Sequence, residues 1–301
     1  MTHAWIDGQL VDAEDRWLRV TDRGFQLGDG VFETLRTRRG WPIELDEHLA
    51  RLAESAAALA IPLDDDAGDV LTRAIHELLD ADELATADAA LRITVSRGSL
   101  PGRGMLPPGW RDARPSVVVQ AWPYRPPSAE LLERGARAIT SALRKDPSSR
   151  LAGVKTTSRA DHVFARLEAE RAGVDEALFL TIDGHVAEAT SANVFAIAGE
   201  DLATPPRSAG ILSGTTRSWL LGHAGAEGLR PVERDLGRDE VLGADEAFLT
   251  SSVAGIVPLV ELDRQPIGGG RPGPRTAVLR ETRERWIEDQ VTAGAPWTAP
   301  S

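Results

Sequence analysis

The 301-residue chain has no cysteine, two lysines, one asparagine and one tyrosine. Without cysteine there is no disulfide, no thiolate nucleophile, no Cys-ligated zinc and no Cys-bound iron–sulfur cluster. No run reaches the roughly 18 uninterrupted apolar residues that a membrane helix needs. Met1-Thr-His-Ala-Trp-Ile-Asp7 also lacks the basic-then-apolar order of an export signal. The expectation is a cytoplasmic protein with no membrane partner. Positive charge is scarce as well: 34 Lys plus Arg stand against 46 Asp plus Glu, a formal charge of −12. A nucleic-acid partner held by a general basic field is therefore excluded, and an anionic ligand must meet a local positive site. With 42% hydrophobic residues over this length, the chain can bury one large core or two ordinary ones.

The shortage of lysine narrows the search for chemistry. Beside 32 arginines stand only Lys145 and Lys155. Arginine serves solubility as well as lysine does, but its guanidinium stays charged and cannot act as a nucleophilic amine. Lys145, in Arg-Lys-Asp-Pro, reads as a solvated loop residue. Lys155, in Leu-Ala-Gly-Val-Lys-Thr-Thr-Ser, is the stronger candidate. The sole asparagine, Asn193, marks a side chain that no other residue replaces.

The first third alternates strand and helix signals. Trp5 to Val11 turns at Asp7-Gly8, and Val31 to Leu35 is followed by Arg39-Gly40 and Trp41 to Leu45, giving two hairpins. Asp46 reads as the cap of a helix with Leu49, Leu52, Ala53, Ala56, Leu59 and Ala60 on one period, ended by Pro62. A second helix is predicted near Asp69 to Leu79, and strands over Ala90 to Ser96 and Ser116 to Trp122. This predicts an N-terminal α+β domain over 1–122 and a proline-rich linker, Pro123 to Ser128. A second domain follows over 129–288, and a tail over 289–301. In the second domain strands are predicted near Ala138 to Leu143, Glu176 to Thr181, Ala192 to Ala198 and Glu246 to Thr250. Helices are predicted near Arg159 to Ala172, Thr215 to Ala226 and Gly273 to Ile287.

Gly210-Ile-Leu-Ser-Gly-Thr-Thr-Arg217 opens a helix with glycine and hydroxyl residues, which suits a phosphate as well as an ordinary cap. Thr250-Ser-Ser252 ends an apolar strand and could serve the same anion. Arg51 on the first long helix reads by default as one more solvated arginine and otherwise as a ligand, and Glu188 after the Asp183-Gly184 turn reads as a cap of that turn or as a ligand. Gly153-Val-Lys-Thr-Thr lacks the glycine spacing of a phosphate-binding P-loop. The six histidines show no paired metal-ligand spacing, so no metal is expected.

Taken in order, several segments resemble the class IV aminotransferases, fold type IV enzymes dependent on pyridoxal phosphate. They are Asp22 to Thr34, Glu47 to Leu52, Gly153 to Lys155, Asp175 to Ala177, Glu188 to Phe195, Gly210 to Leu212, Gly214 to Arg217 and Ala244 to Thr250. The family includes branched-chain and D-amino-acid aminotransferases, (R)-selective amine aminotransferases and aminodeoxychorismate lyase. The resemblance implies an α+β fold of two domains, a small N-terminal one and a larger C-terminal one whose sheet forms a pseudo-barrel, in a homodimer.

By matched position, the resemblance implies that Lys155 carries the cofactor as a Schiff base and acts as the catalytic residue. Glu188 would face the pyridine nitrogen, and Arg51, Thr215, Thr216, Ser251 and Ser252 would hold the phosphate. Leu212 would pack on the ring, with Asn193 and Arg159 beside the cofactor. On the substrate side it implies Phe32, Arg92, Arg103, Ser252 and Val253. The loop Pro101 to Met105 lacks the Arg-x-His pair usual in D-amino-acid enzymes, while Arg92 falls where branched-chain enzymes bind a carboxylate. Ser96-Arg-Gly-Ser99, Gly102-Arg-Gly104 and Arg159 look like the lyases. The implied activity is transfer of an amino group from an amino acid or primary amine to a 2-oxo acid. The alternatives are cleavage of aminodeoxychorismate to p-aminobenzoate and pyruvate, or a non-catalytic binding relative.

Overall fold

A computed structural model describes residues 2–15, 17–293 and 297. By contact, the described residues divide into one unit within 2–125, 154–159 and 287–297, and another over Pro126–Gly153 and Ala160–Trp286. A continuous second domain over 129–288 was expected; the short segment that carries Lys155 instead packs with the first unit.

The first unit is built from β1 (His3–Ile6), β2 (Gln9–Asp12), α1 (Arg23–Leu27), β3 (Gly30–Arg38), β4 (Trp41–Pro42), α2 (Leu45–Ala58), α3 (Ala67–Ala81), β5 (Ala89–Ser96) and β6 (Ser116–Pro123). All six strands join one antiparallel sheet in the order β2-β1-β6-β5-β3-β4. In α3, Leu71, Ala74, Ile75, Leu78 and Leu79 are buried, the spacing of one helical face, and they pack with Val119 and Ala121 of β6 in the core. The first long helix, α2, starts at Leu45 behind Glu44, one residue before the expected Asp46 cap. Asp46 and Glu47 lie instead in its first turn, where carboxylates favour the helix dipole. Its Leu52 and Ala56 enter the core, while His48, Arg51 and Ser55 are buried polar residues of the same helix.

The second unit contains α4 (Ala129–Arg134), β7 (Ala136–Lys145), α5 (Ala160–Ala172), β8 (Glu176–Thr181), β9 (Val186–Ala189), β10 (Asn193–Ala198) and β11 (Asp201–Thr204). There follow α6 (Thr215–His223), β12 (Arg230–Glu233), α7 (Arg238–Leu242), β13 (Glu246–Ser251), β14 (Gly255–Leu262) and β15 (Gln265–Pro266). The last helix, α8, spans Pro274–Ala293. The expected tail is thereby corrected over 289–293, which continue the helix; 294–296 and 298–301 lie outside the described residues. The strands form one mixed sheet in the order β12-β11-β10-β13-β14-β7-β8-β9, with β15 on β14. The sheet curls until β9 meets β10. Ala138, Leu178, Val194, Leu249 and Leu259 belong to one buried apolar cluster of the sheet. Every residue of β8 and β9 is buried, so these strands read as continuous runs covered on both faces. A charged residue on either strand therefore needs an internal partner.

Candidate active site

Within the first unit, residues 154–159 are fastened along β3 by backbone hydrogen bonds. Phe32 N–H donates to Lys155 O at 3.0 Å, Thr157 N–H donates to Gly30 O at 2.8 Å, and Val31 bridges Thr156. The Lys155 N–H donates to Ser55 Oγ of α2 at 3.3 Å, and Thr157 Oγ1 to Gly28 O at 2.8 Å. Gly28 closes α1 with φ +66°, and a Cβ there would stand 3.1 Å from the Ser158 backbone, so the close approach needs glycine. The outcome is a lysine whose main chain is fixed at both of its polar atoms.

The side chain of Lys155 meets the Phe32 ring, with Nζ 4.7 Å from the centroid. Arg92 Cζ lies 3.9 Å and Arg159 Cζ 5.5 Å from the same centroid. Three cations thus gather on one aromatic residue in a chain of net charge −12. Burial first, and the nearby Arg159 guanidinium second, hold Arg92 below the usual range of a guanidinium. Arg92 Nε donates to Thr94 Oγ1 at 3.2 Å, and among the described residues no carboxylate pairs with it. The structure therefore brings four expected residues together: Lys155, Arg159, Arg92 and Phe32. Arg103 stands apart, exposed on its loop.

Arg51 is clamped in a buried cluster that sequence reasoning missed. Its Nε donates to Glu33 Oε1 and its Nη2 to Glu33 Oε2, both at 2.7 Å, while His48 Nδ1 lies 2.7 Å from Oε2. Burial pushes the Glu33 carboxyl up, but hydrogen bonds and charge from Arg51 and His48 outweigh it and hold the group at about 2. A glutamate inside the apolar run Val31 to Leu35 was the available signal.

Within the second unit, Glu188 of β9 accepts the Leu212 N–H through Oε2 at 2.8 Å. Asn193 Nδ2 donates to the Leu212 carbonyl at 2.9 Å. Leu212 is thus held at both backbone polar atoms by the two side chains singled out in the sequence. Gly214 follows; a Cβ there would fall 2.1 Å from Asn193 Oδ1, so this turn also needs glycine. Helix α6 then begins at Thr215 with no side-chain cap. Thr215 Oγ1 lies 3.1 Å from Ser252 Oγ, and Thr216 Oγ1 donates to Ser251 O at 3.2 Å. The Ser251 hydroxyl accepts from Ala254 N–H at 3.1 Å, with Val253 in the same turn. The two hydroxyl-rich segments therefore meet at the uncapped start of a helix, where amides and dipole favour an anion.

Lys145 departs from the expected solvated loop. It is the last residue of β7, pairs in register with Thr181 of β8, and its ammonium donates to Glu188 Oε1. The local Asp146-Pro147 signal hid this, because strand pairing across the sheet carries β7 two residues past Leu143.

The family model for amino-transferase class IV matches residues 30–262. A D-alanine aminotransferase of Bacillus licheniformis is 33% identical over 90% of this chain and 92% of its own length. An aminodeoxychorismate lyase of Bacillus subtilis is 29% identical over 97% and 98%. Among solved structures, the branched-chain aminotransferase of the archaeon Thermoproteus uzoniensis with norvaline superposes with a TM-score of 0.86 at 29% identity, over 98% of this chain and 98% of that one. The architecture is accordingly that of the fold type IV enzymes, α+β with a curled sheet, and the chain belongs to the class IV aminotransferase family.

Proposed function

We propose that this chain is a pyridoxal-phosphate-dependent aminotransferase that moves an amino group from an amino acid or primary amine to a 2-oxo acid. One observation carries the reading: Lys155, one of two lysines, has its backbone pinned to β3 and its amine on the Phe32 ring beside Arg92. The donor set suits the group: an amine for an aldehyde, a buried carboxylate for a ring nitrogen, and hydroxyls at an uncapped helix start for a phosphate.

When bound, pyridoxal phosphate supplies an aldehyde that reacts with amines and a ring that takes up electrons released at a substrate Cα. Lys155 would hold the group through its side-chain amine and would carry the proton that the exchange takes from and returns to the substrate. Glu188 would face the ring nitrogen with its carboxylate and favour a proton there. Thr215, Thr216, Ser252 and the first amides of α6 would hold the phosphate, with Arg51 and Ser251 as further candidate donors. Asn193 acts by fixing Leu212 in place. Arg92 binds the substrate carboxylate beside Phe32, with Arg103 and Val253 as further contacts.

Arg159 favours a second reading. With Arg92 and Lys155 it places three cations on Phe32, which suits a substrate bearing two carboxylates, and a lyase stands among the relatives. To test both, the protein is incubated with pyridoxal phosphate, reduced with borohydride and mapped. Label on Lys155, absent in Lys155→Ala, is expected; an unlabelled protein sinks both readings. A panel of amino donors should then convert the bound cofactor to its amino form. No conversion, together with p-aminobenzoate release from aminodeoxychorismate, selects the lyase.

A further inference from the structure

The second lysine has no part in the chemistry above, yet it is withdrawn from solvent into an ion pair that an ordinary surface would not need. The Lys145 and Glu188 side chains are 15% and 7% exposed and in contact. Glu188 sits on a strand with no exposed residue, where a lone carboxylate would take up a proton rather than stay charged. The Phe179 ring, 5.9 Å from Lys145 Nζ, flanks the ammonium.

Charged groups on the neighbouring elements have partners of their own. On α5, His162 Nδ1 lies 2.7 Å from Asp161, Arg166 lies 3.4 Å from Glu176 of β8, and Glu168 accepts from Ser141 Oγ at 2.6 Å. In the turn before β9, His185 faces Asp235 at 3.9 Å, and Asp263, just past β14, is held by Arg238 at 2.7 Å.

We propose that Lys145 is a positioning residue for the cofactor, its ammonium keeping Glu188 a carboxylate ready to accept the protonated ring nitrogen of pyridoxal phosphate. The proposal rests on the function given above. Remove the ammonium and Glu188 takes up its own proton, becoming a group that meets a protonated ring with a hydrogen in the way.

The test is the dissociation constant of pyridoxal phosphate, followed by tryptophan fluorescence on the cofactor-free chain across about pH 5.5 to 8.5. Each variant is divided by wild type at the same pH, which removes titration of the ligand's own phosphate. For Lys145→Met the ratio should rise about tenfold from the alkaline to the acid end, the effect of moving one carboxyl by about one pH unit or more into this range. Lys145→Arg should stay flat near one. Lys145→Met with Glu188→Gln should be weak and flat, since the titrating group is gone. A flat ratio for Lys145→Met, or an acid rise that survives Glu188→Gln, overturns the proposal. Lys145→Gln replaces the methionine variant if the latter fails to give a wild-type circular dichroism spectrum. Wild type that takes up no cofactor removes the functional reading and this proposal together; wild type that binds beside a flat variant removes the proposal alone.

Discussion

Replacing Glu33 by glutamine probes the buried cluster that holds Arg51. Glu33 has no exposed surface, and its two oxygens take Arg51 at 2.7 Å each and His48 at 2.7 Å. The distance from the ordinary 4.5 to about 2 is worth about 3 kcal/mol, at about 1.36 kcal/mol per pH unit. The sign follows from a depressed folded-state value. The stabilisation is fully present above pH 4.5 and disappears as pH falls toward 2. Glu33→Gln has no such group. At neutral pH the variant leaves Arg51 buried without its carboxylate, and breaking one partner of a buried pair costs about 3–5 kcal/mol. Urea unfolding of the cofactor-free chain, followed by tryptophan fluorescence with Trp5 in the first unit's core, should show that loss at pH 7. The gap between wild type and variant should close as pH falls from about 5 to about 2. A neutral-pH loss under about 1 kcal/mol, or a gap independent of pH, would refute the electrostatic account of this cluster. Glu33→Leu with Arg51→Met should be more stable than Arg51→Met alone, because no orphaned charge remains.

Gly214→Ala places a methyl 2.1 Å from Asn193 Oδ1, so the turn ahead of α6 must shift; a cofactor dissociation constant raised about tenfold, with far-UV circular dichroism unchanged, is expected, and unaltered binding would show the turn to be irrelevant to the cofactor. Gly28→Ala meets both a positive φ and the Ser158 backbone at 3.1 Å and should cost about 1–3 kcal/mol in thermal unfolding; a melt superimposable on wild type counts against the close approach. Arg92→Met should raise KM for amino and 2-oxo acids about tenfold or more while leaving KM for a primary amine without a carboxylate within about twofold, and equal losses for both would deny Arg92 a carboxylate-binding role.

Legibility in the sequence followed the range of the forces involved. Helix α3 was visible because Leu71, Ala74, Ile75, Leu78 and Leu79 recur on one helical face, and β8 because Glu176 to Thr181 form a short apolar run bounded by turns. The tight turns at Asp7-Gly8 and Arg39-Gly40 were legible in the same way. Short elements without a period of their own, such as β12 and α7, were not. They are held by pairing with β11 or by the capping Glu240, relations that a local window cannot weigh.

What the sequence determined by itself was the family, the two α+β segments and the singling out of Lys155, since each follows from residue identity, order or scarcity. Only the tertiary structure decided which charges share an interior: Glu33 with Arg51, Lys145 with Glu188, and the Phe32 ring with Lys155, Arg92 and Arg159. The reason is that a buried charge is partnered by whatever strand register and helix packing bring against it, and these partners lie 18, 43 and up to 127 positions apart along the chain.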